Sequence, residues 1–199
     1  MTCVLRRVVA TLALAFCANG TALATPINFE GFLDGEVLTN EIPGLTFSNA
    51  MVLTAGLSLN EFEFPPRSGT NVVFDDGGPL VIAFSAPITS ILAYLNYAFP
   101  VTLDVYDAGL NLVGTATSLF TSNLALSGDS GSSPNEALSV LISGGFSRAV
   151  FTGDAAGGSF TLDDLSFEPA ASGVPEPSTL ALALLGLVTL FPRRQRVCG

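Results

Sequence analysis

Residues 101–107 alternate: Val101, Leu103 and Val105 are apolar, while Thr102, Asp104 and Tyr106 carry polar atoms. A period of two sets the first group on one face of a β-strand and the second on the other, so the valines and Leu103 point inward and Tyr106 outward. Residues 107–111, Asp-Ala-Gly-Leu-Asn, read as a turn, and residues 112–117 return as the partner strand. Residues 80–85, 90–97, 138–143, 148–152 and 159–167 complete a series of short strands, punctuated by Gly, Pro, Ser and Asn. Residues 61–64, Glu-Phe-Glu-Phe, alternate as well and predict a strand with Phe62 and Phe64 in the core. Residues 127–135 have the composition of a flexible loop. There is no helical period across ten residues in this middle region and no internal repeat. Many short strands with close turns predict an all-β fold, a sandwich or a barrel.

The last of these strands changes parity. Phe160 and Leu162 share one face, whereas Leu165 and Phe167 share the other, and the switch falls at Asp163-Asp164. A slip of one residue would turn the second apolar pair to solvent, so a β-bulge is expected there. Two acids at a bulge near a sheet end are placed for a cation, or for solvent.

The two ends break the strand pattern. Arg6 and Arg7 precede an apolar run, and Ala22-Leu23-Ala24 supplies small residues at −3 and −1. That is the order of parts in a secretory signal peptide, cleaved after Ala24. The run is shorter than the ~18 residues a membrane span needs. Phe16 stands before Cys17, where a lipidation site wants a small residue, which disfavours lipidation.

At the other end Val174, Pro175, Glu176, Pro177, Ser178 and Thr179 form a proline-rich polar segment. Proline has no N–H to give and restricts the residue before it, so the segment stays extended and accessible. An apolar stretch, 180–191, follows, and then the basic cluster Arg193, Arg194 and Arg196. Arginines there hold that end at the cytoplasmic face. This order resembles the PEP-CTERM sorting signal. The resemblance implies a short transmembrane helix over 180–191, cleavage near Pro175-Glu176-Pro177 by an exosortase-type protease, and a Gram-negative host that makes exopolysaccharide. It further implies a precursor anchored in the inner membrane that matures to the cell surface or extracellular matrix. The apolar stretch is short against the ~20 residues of a full span; arginine snorkelling and bilayer thinning make up part of the difference. The expected organisation is a signal peptide at 1–24, a β-sandwich at 25–169, a linker at 170–173 and a sorting signal at 174–199.

With the ends set aside, charge becomes informative. Sixteen of the seventeen acids lie in the middle region against only Arg67 and Arg148, and the chain has no lysine. Such a surface repels phosphate backbones, which excludes nucleic acid as a partner. The three cysteines, Cys3, Cys17 and Cys198, all lie in the end segments, so the domain holds together without disulfides.

Four stretches resemble the domains that accompany this sorting signal, and jelly-roll carbohydrate-binding modules: residues 28–31 (Asn-Phe-Glu-Gly), 44–49 (Gly-Leu-Thr-Phe-Ser-Asn), 68–71 (Ser-Gly-Thr-Asn) and 160–165 (Phe-Thr-Leu-Asp-Asp-Leu). The resemblance implies a jelly-roll-like β-sandwich whose first and last strands pair, with a structural calcium beside them. Carried over to this chain, the calcium ligands are Glu30 and Asp163 or Asp164, with backbone carbonyls filling a shell of roughly 6 to 8 oxygens.

Candidate chemistry is narrow. Without histidine or lysine, and without cysteine in the domain, Ser-His-Asp, Cys-His, histidine-ligated zinc and lysine-imine chemistries are excluded. Glu61 and Glu63 are a carboxylate pair, but two acids on one strand face do not oppose each other across a sugar. The expectation is a protein that is no enzyme. Sugar binding needs an aromatic platform and a few polar groups. The chain has no Trp, which leaves Tyr94, Tyr97 and Tyr106. Tyr106 and Arg67 are the candidate ligand-binding residues; Arg67 either bonds an anionic glycan or uronate, or pairs with Asp75 or Asp76. Residues 75–79, Asp-Asp-Gly-Gly-Pro, read as a turn. The functional expectation is a polysaccharide-associated binding domain, with a structural or adhesive surface protein as the alternative and a carboxylate glycoside hydrolase using Glu61 and Glu63 as the third reading.

Overall fold

The computed structural model describes residues 26–170, and every regular element among them is a β-strand. They are β1 (Leu45–Ser48), β2 (Ala50–Thr54), β3 (Asn71–Asp75), β4 (Leu80–Tyr97), β5 (Thr102–Tyr106), β6 (Leu112–Thr117), β7 (Glu136–Thr152) and β8 (Phe160–Pro169). The expected signal helix, the sorting motif at 174–179, the helix at 180–191 and the basic cluster lie outside the described residues.

All pairings between these strands are antiparallel, along the path β2-β3-β8-β4-β7-β5-β6 with β1 added on β4. Two strands fold this path into a sandwich. β4 and β7 are 18 and 17 residues long, and their pairing shifts register between Ala83 and Ile88 and again before Ser90. Burial parity switches at the same place: Leu80, Ile82 and Phe84 are buried before it, and Ile91, Ala93 and Leu95 after it. The first half of β4 and the second half of β7 therefore make one layer with β1, β5 and β6. The other halves make the second layer with β8, β3 and β2. Asn49, at φ 56°, turns the chain from β1 in one layer to β2 in the other.

The core lies between these layers. Phe84 meets Phe167 across them at 5.2 Å between ring centroids, and Phe151 meets Phe160 at 6.4 Å. Both are distances at which offset aromatic pairs attract. Burying each such ring contributes about 2 kcal/mol from lost water contact alone. Ile27 bridges Leu165 through two backbone hydrogen bonds of 2.8 and 3.0 Å, so the first segment does pair with the last strand.

Two sequence expectations need correction. The runs 80–85 and 90–97 are one strand, as are 138–143 and 148–152, because each continues through the fold-over rather than ending in a turn. Residues 61–64 are not a strand. Asn60 O accepts from the N–H groups of Glu63 and Phe64, which curls the segment into a turn and leaves Phe62 71% exposed. The bulge in β8 is where the parity placed it: Leu92 faces Ser166 but Tyr94 faces Asp163, and Asp164 adopts φ 48°.

Candidate functional site

The loop at 65–71 crosses the outer face of the second layer, and three acids hold it there. Asp163 Oδ2 accepts from the N–H groups of Arg67 (2.8 Å) and Ser68 (3.0 Å). Asp164 Oδ1 accepts from Ser68 Oγ (2.7 Å). Glu30 accepts from the N–H groups of Thr70 (2.8 Å) and Asn71 (2.7 Å) and from Thr70 Oγ1. The proposed calcium ligands are thus brought to one loop. However, their oxygens face N–H and O–H hydrogens, which occupy their lone pairs and repel a cation. Among the described residues no group of three acidic, histidine or cysteine side chains converges on one point. The donor set does not fit a shared calcium ion. The loop's amides stand where the metal was expected.

Arg67 belongs to the same cluster. Its Nε lies 3.5 Å from Asp164 Oδ2, and its guanidinium carbon lies 3.5 Å above the Tyr94 ring. Its partner is Asp164 rather than Asp75 or Asp76, and the cation–π stack covers Tyr94. Burial pushes the Asp163 carboxyl up to about 6, against the N–H groups of Ser68, Asp164 and Arg67 and with the neighbouring Asp164 charge adding to it. A carboxyl raised in the folded state binds its proton more tightly there than in the unfolded chain. Its contribution to stability is therefore full below the unfolded pKa and lost as pH rises through about 6. Unfolding stability is expected to fall by about 2 kcal/mol between pH 4 and 6 from this group. Urea titrations at both pH values check this, and Asp163→Asn should flatten the difference.

Of the three tyrosines, only Tyr106 keeps an open outer face. Tyr97 is wholly buried and donates its hydroxyl to Glu136; burial, with the Glu136 contact adding to it, pushes its pKa up to about 12. Tyr106 lies on β5 directly across from Arg148 on β7. With Leu110 and Val150 they line an open hollow of about 300 Å³ on the outer face of the first layer. Among the described residues Arg148 forms no ion pair. Tyr106 and Arg67, the two ligand candidates read from sequence, thus stand in different layers and form no joint site. Arg148 was missed because its neighbourhood with Tyr106 depends on β5 lying beside β7, which strand parity does not reveal.

The carboxylate pair dissolves as well. Glu63 accepts from the N–H groups of Leu126 and Ser127, which hold its carboxyl below the usual range. It fastens the turn at 60–64 to the loop at 122–128. The loop at 127–135 is likewise tied down: Asp129 Oδ2 accepts from the N–H groups of Thr121 and Ser122 and from Thr121 Oγ1.

β8 ends at Pro169, and the next described residue, Ala170, hydrogen-bonds Pro87 O at the fold-over end of the sandwich. The chain runs from there into a segment that matches a known family. Residues 173–196 are a PEP-CTERM protein-sorting motif. Such a motif implies a secreted, membrane-anchored precursor processed by an exosortase. Among curated proteins no relative matches. Solved structures with a similar strand layout include β-sandwich carbohydrate-binding modules. One is a family 29 module in complex with cellulohexaose (12% identity, TM-score 0.38, covering 73% of this chain and 92% of that one). A second is TmCBM61 in complex with β-1,4-galactotriose (13%, 0.39, 65% and 91%). A third is CBM35 from Paenibacillus barcinonensis (18%, 0.36, 63% and 92%).

Proposed function

We propose that this is a non-catalytic surface or matrix protein whose sandwich holds extracellular polysaccharide after exosortase processing at the surface of a Gram-negative cell. The observation that carries the reading is Tyr106 beside Arg148 in an open hollow. A phenol ring offers a face to sugar C–H groups, and a guanidinium without a carboxylate partner among the described residues offers donors to sugar hydroxyls. The strongly acidic domain repels polyanions, so the favoured ligand is neutral or sparsely charged. The absence of histidine and lysine supports a binding role over a catalytic one. The sorting motif supports the location. Calcium has no part in this reading, because Glu30, Asp163 and Asp164 engage the loop at 67–71.

Affinity electrophoresis of the full chain in gels of neutral polysaccharides tests this. Retention is expected, with Tyr106→Ala and Arg148→Ala each weakening it about tenfold, roughly 1.4 kcal/mol, and with chelator changing nothing. If no polymer retards the chain, or if both variants run like the parent, the reading is wrong. A second reading, adhesion through protein contacts, draws on Phe62 and Leu126, which are 71% and 76% exposed and are joined through Glu63. Association that rises with concentration and is lost in Phe62→Ser would favour it.

A further inference from the structure

On the outer face of the second layer, opposite the Tyr106 hollow, lies a cavity of about 210 Å³. Leu53, Leu59, Phe64 and Phe74 wall it, Asn60 stands at its rim, and Thr161 is at its base. Thr161 is only 2% exposed, and its Oγ1 has no hydrogen-bond partner. The neighbours explain why. Across β3 it faces Phe74, and across β4 it faces Asn96. Asn96 is already engaged, donating to Pro65 O and accepting from the Asn135 N–H. Ser58, the other hydroxyl on the lining, donates to Asp34. Buried polar atoms are nearly always paired, so a lone hydroxyl at the base of a cavity marks a missing partner.

That partner is constrained by the walls. A fully hydroxylated sugar ring would press several hydroxyls against Leu and Phe side chains, each losing its water without replacement. A plain hydrocarbon would leave Thr161 unpaired. One small group meets both demands: a methyl joined to a single carbonyl. We infer that this cavity takes the acetyl group of an acetylated sugar. The methyl packs between Phe64 and Phe74, and Thr161 Oγ1, turned into the cavity about its χ1, donates to the carbonyl oxygen. The ring itself lies at the rim by Asn60, in solvent. This deepens the polysaccharide reading and rests on it, while using a different face of the domain. O-acetyl and N-acetyl groups share the chemistry.

The test uses the full chain. Saturation-transfer NMR is run with N-acetylglucosamine, 6-O-acetylglucose and glucose, which separates the N-acetyl from the O-acetyl source. The acetyl methyl is expected to be the most strongly saturated proton, with at least tenfold preference over glucose. Thr161→Val keeps the shape and removes the hydroxyl; it should reduce that preference about tenfold, and Thr161→Ser should restore it. Retention is then compared on acetylated glucomannan and its alkali-deacetylated form. Equal retention on both leaves the polysaccharide reading standing and overturns the acetyl pocket. Methyl saturation by the small sugars with neither polymer retained supports the pocket and overturns the polysaccharide reading. Absence of methyl saturation, or a Thr161→Val chain indistinguishable from the parent, overturns the pocket whatever the polymers do.

Discussion

Asp75→Ala is expected to lower the unfolding free energy by about 4 kcal/mol and the melting temperature by about 10 °C. Asp75 is wholly buried at the end of β3. Its carboxylate accepts from Ser159 N–H (2.8 Å), Ser159 Oγ (2.9 Å) and Phe160 N–H (2.9 Å), and so clamps β3 to the start of β8. Alanine would leave two backbone N–H groups and a hydroxyl in a dry interior with no acceptor. Each orphan costs about 1 to 3 kcal/mol.

Asp75→Asn separates acceptor from charge. Burial raises the Asp75 pKa and outweighs the hydrogen bonds from Phe160 and Ser159 that pull it down. The negative charge is therefore a burden there, and the oxygens are what the fold needs. Asparagine keeps one acceptor for the two N–H groups, and the Ser159 hydroxyl can turn to accept from the new amide. A loss of only about 1 kcal/mol is expected for it. Chemical denaturation of the three chains at one pH checks both statements. A loss in Asp75→Asn equal to that in Asp75→Ala would show that charge, not acceptor geometry, holds the clamp.

This clamp also shows where the sequence ran out. Residues 75–79 read as a turn, and the chain does turn there, but nothing local distinguishes an aspartate that faces solvent from one that receives residues 159 and 160. The same holds for Glu30, Asp163 and Asp164. Parity gave the bulge at 163–164, and the resemblance to jelly-roll modules implied that the first segment pairs with the last strand and so brings these acids together. What they converge on was not legible, because donors 40 to 96 residues away in the chain lie on a loop whose path no periodicity records. The hairpin of β5 and β6 was readable throughout. Its inward set alternates cleanly, and Asp107 closes the turn by accepting from the N–H groups of Gly109 and Asn111. β4 and β7 were cut in two because a strand that folds over between layers changes parity, which looks the same as a strand that stops. Residues 61–64 misled in the opposite sense. Alternation over four residues is also what a turn gives when one Phe packs and the next is left in water.

Gly157→Ala carries the second large effect, expected at about 3 kcal/mol or more. Gly157 has φ 80°, and a Cβ there would lie 2.5 Å from Gly78 N and 2.7 Å from both Asp75 O and Gly77 N. Those are backbone atoms of the turn that follows Asp75, and Gly158 N–H donates to Asp75 O beside them. None can swing away as a side-chain tip could, so the methyl must push the two turns apart and take the Asp75 clamp with them. Gly131→Ala isolates the conformational part of this cost. Gly131 has φ 86° and open space around the added methyl, so alanine there should cost only about 1 kcal/mol of left-handed strain. Melting curves of the two variants read the difference directly. A gap of 2 kcal/mol or more would place the effect in the close approach of the turns at 75–78 and 154–158; equal losses would reduce Gly157 to a residue needed for its dihedral angle alone. The same contact gives residues 156–158 their role. These glycines let two backbones touch at the end of the sandwich where β3 meets the start of β8.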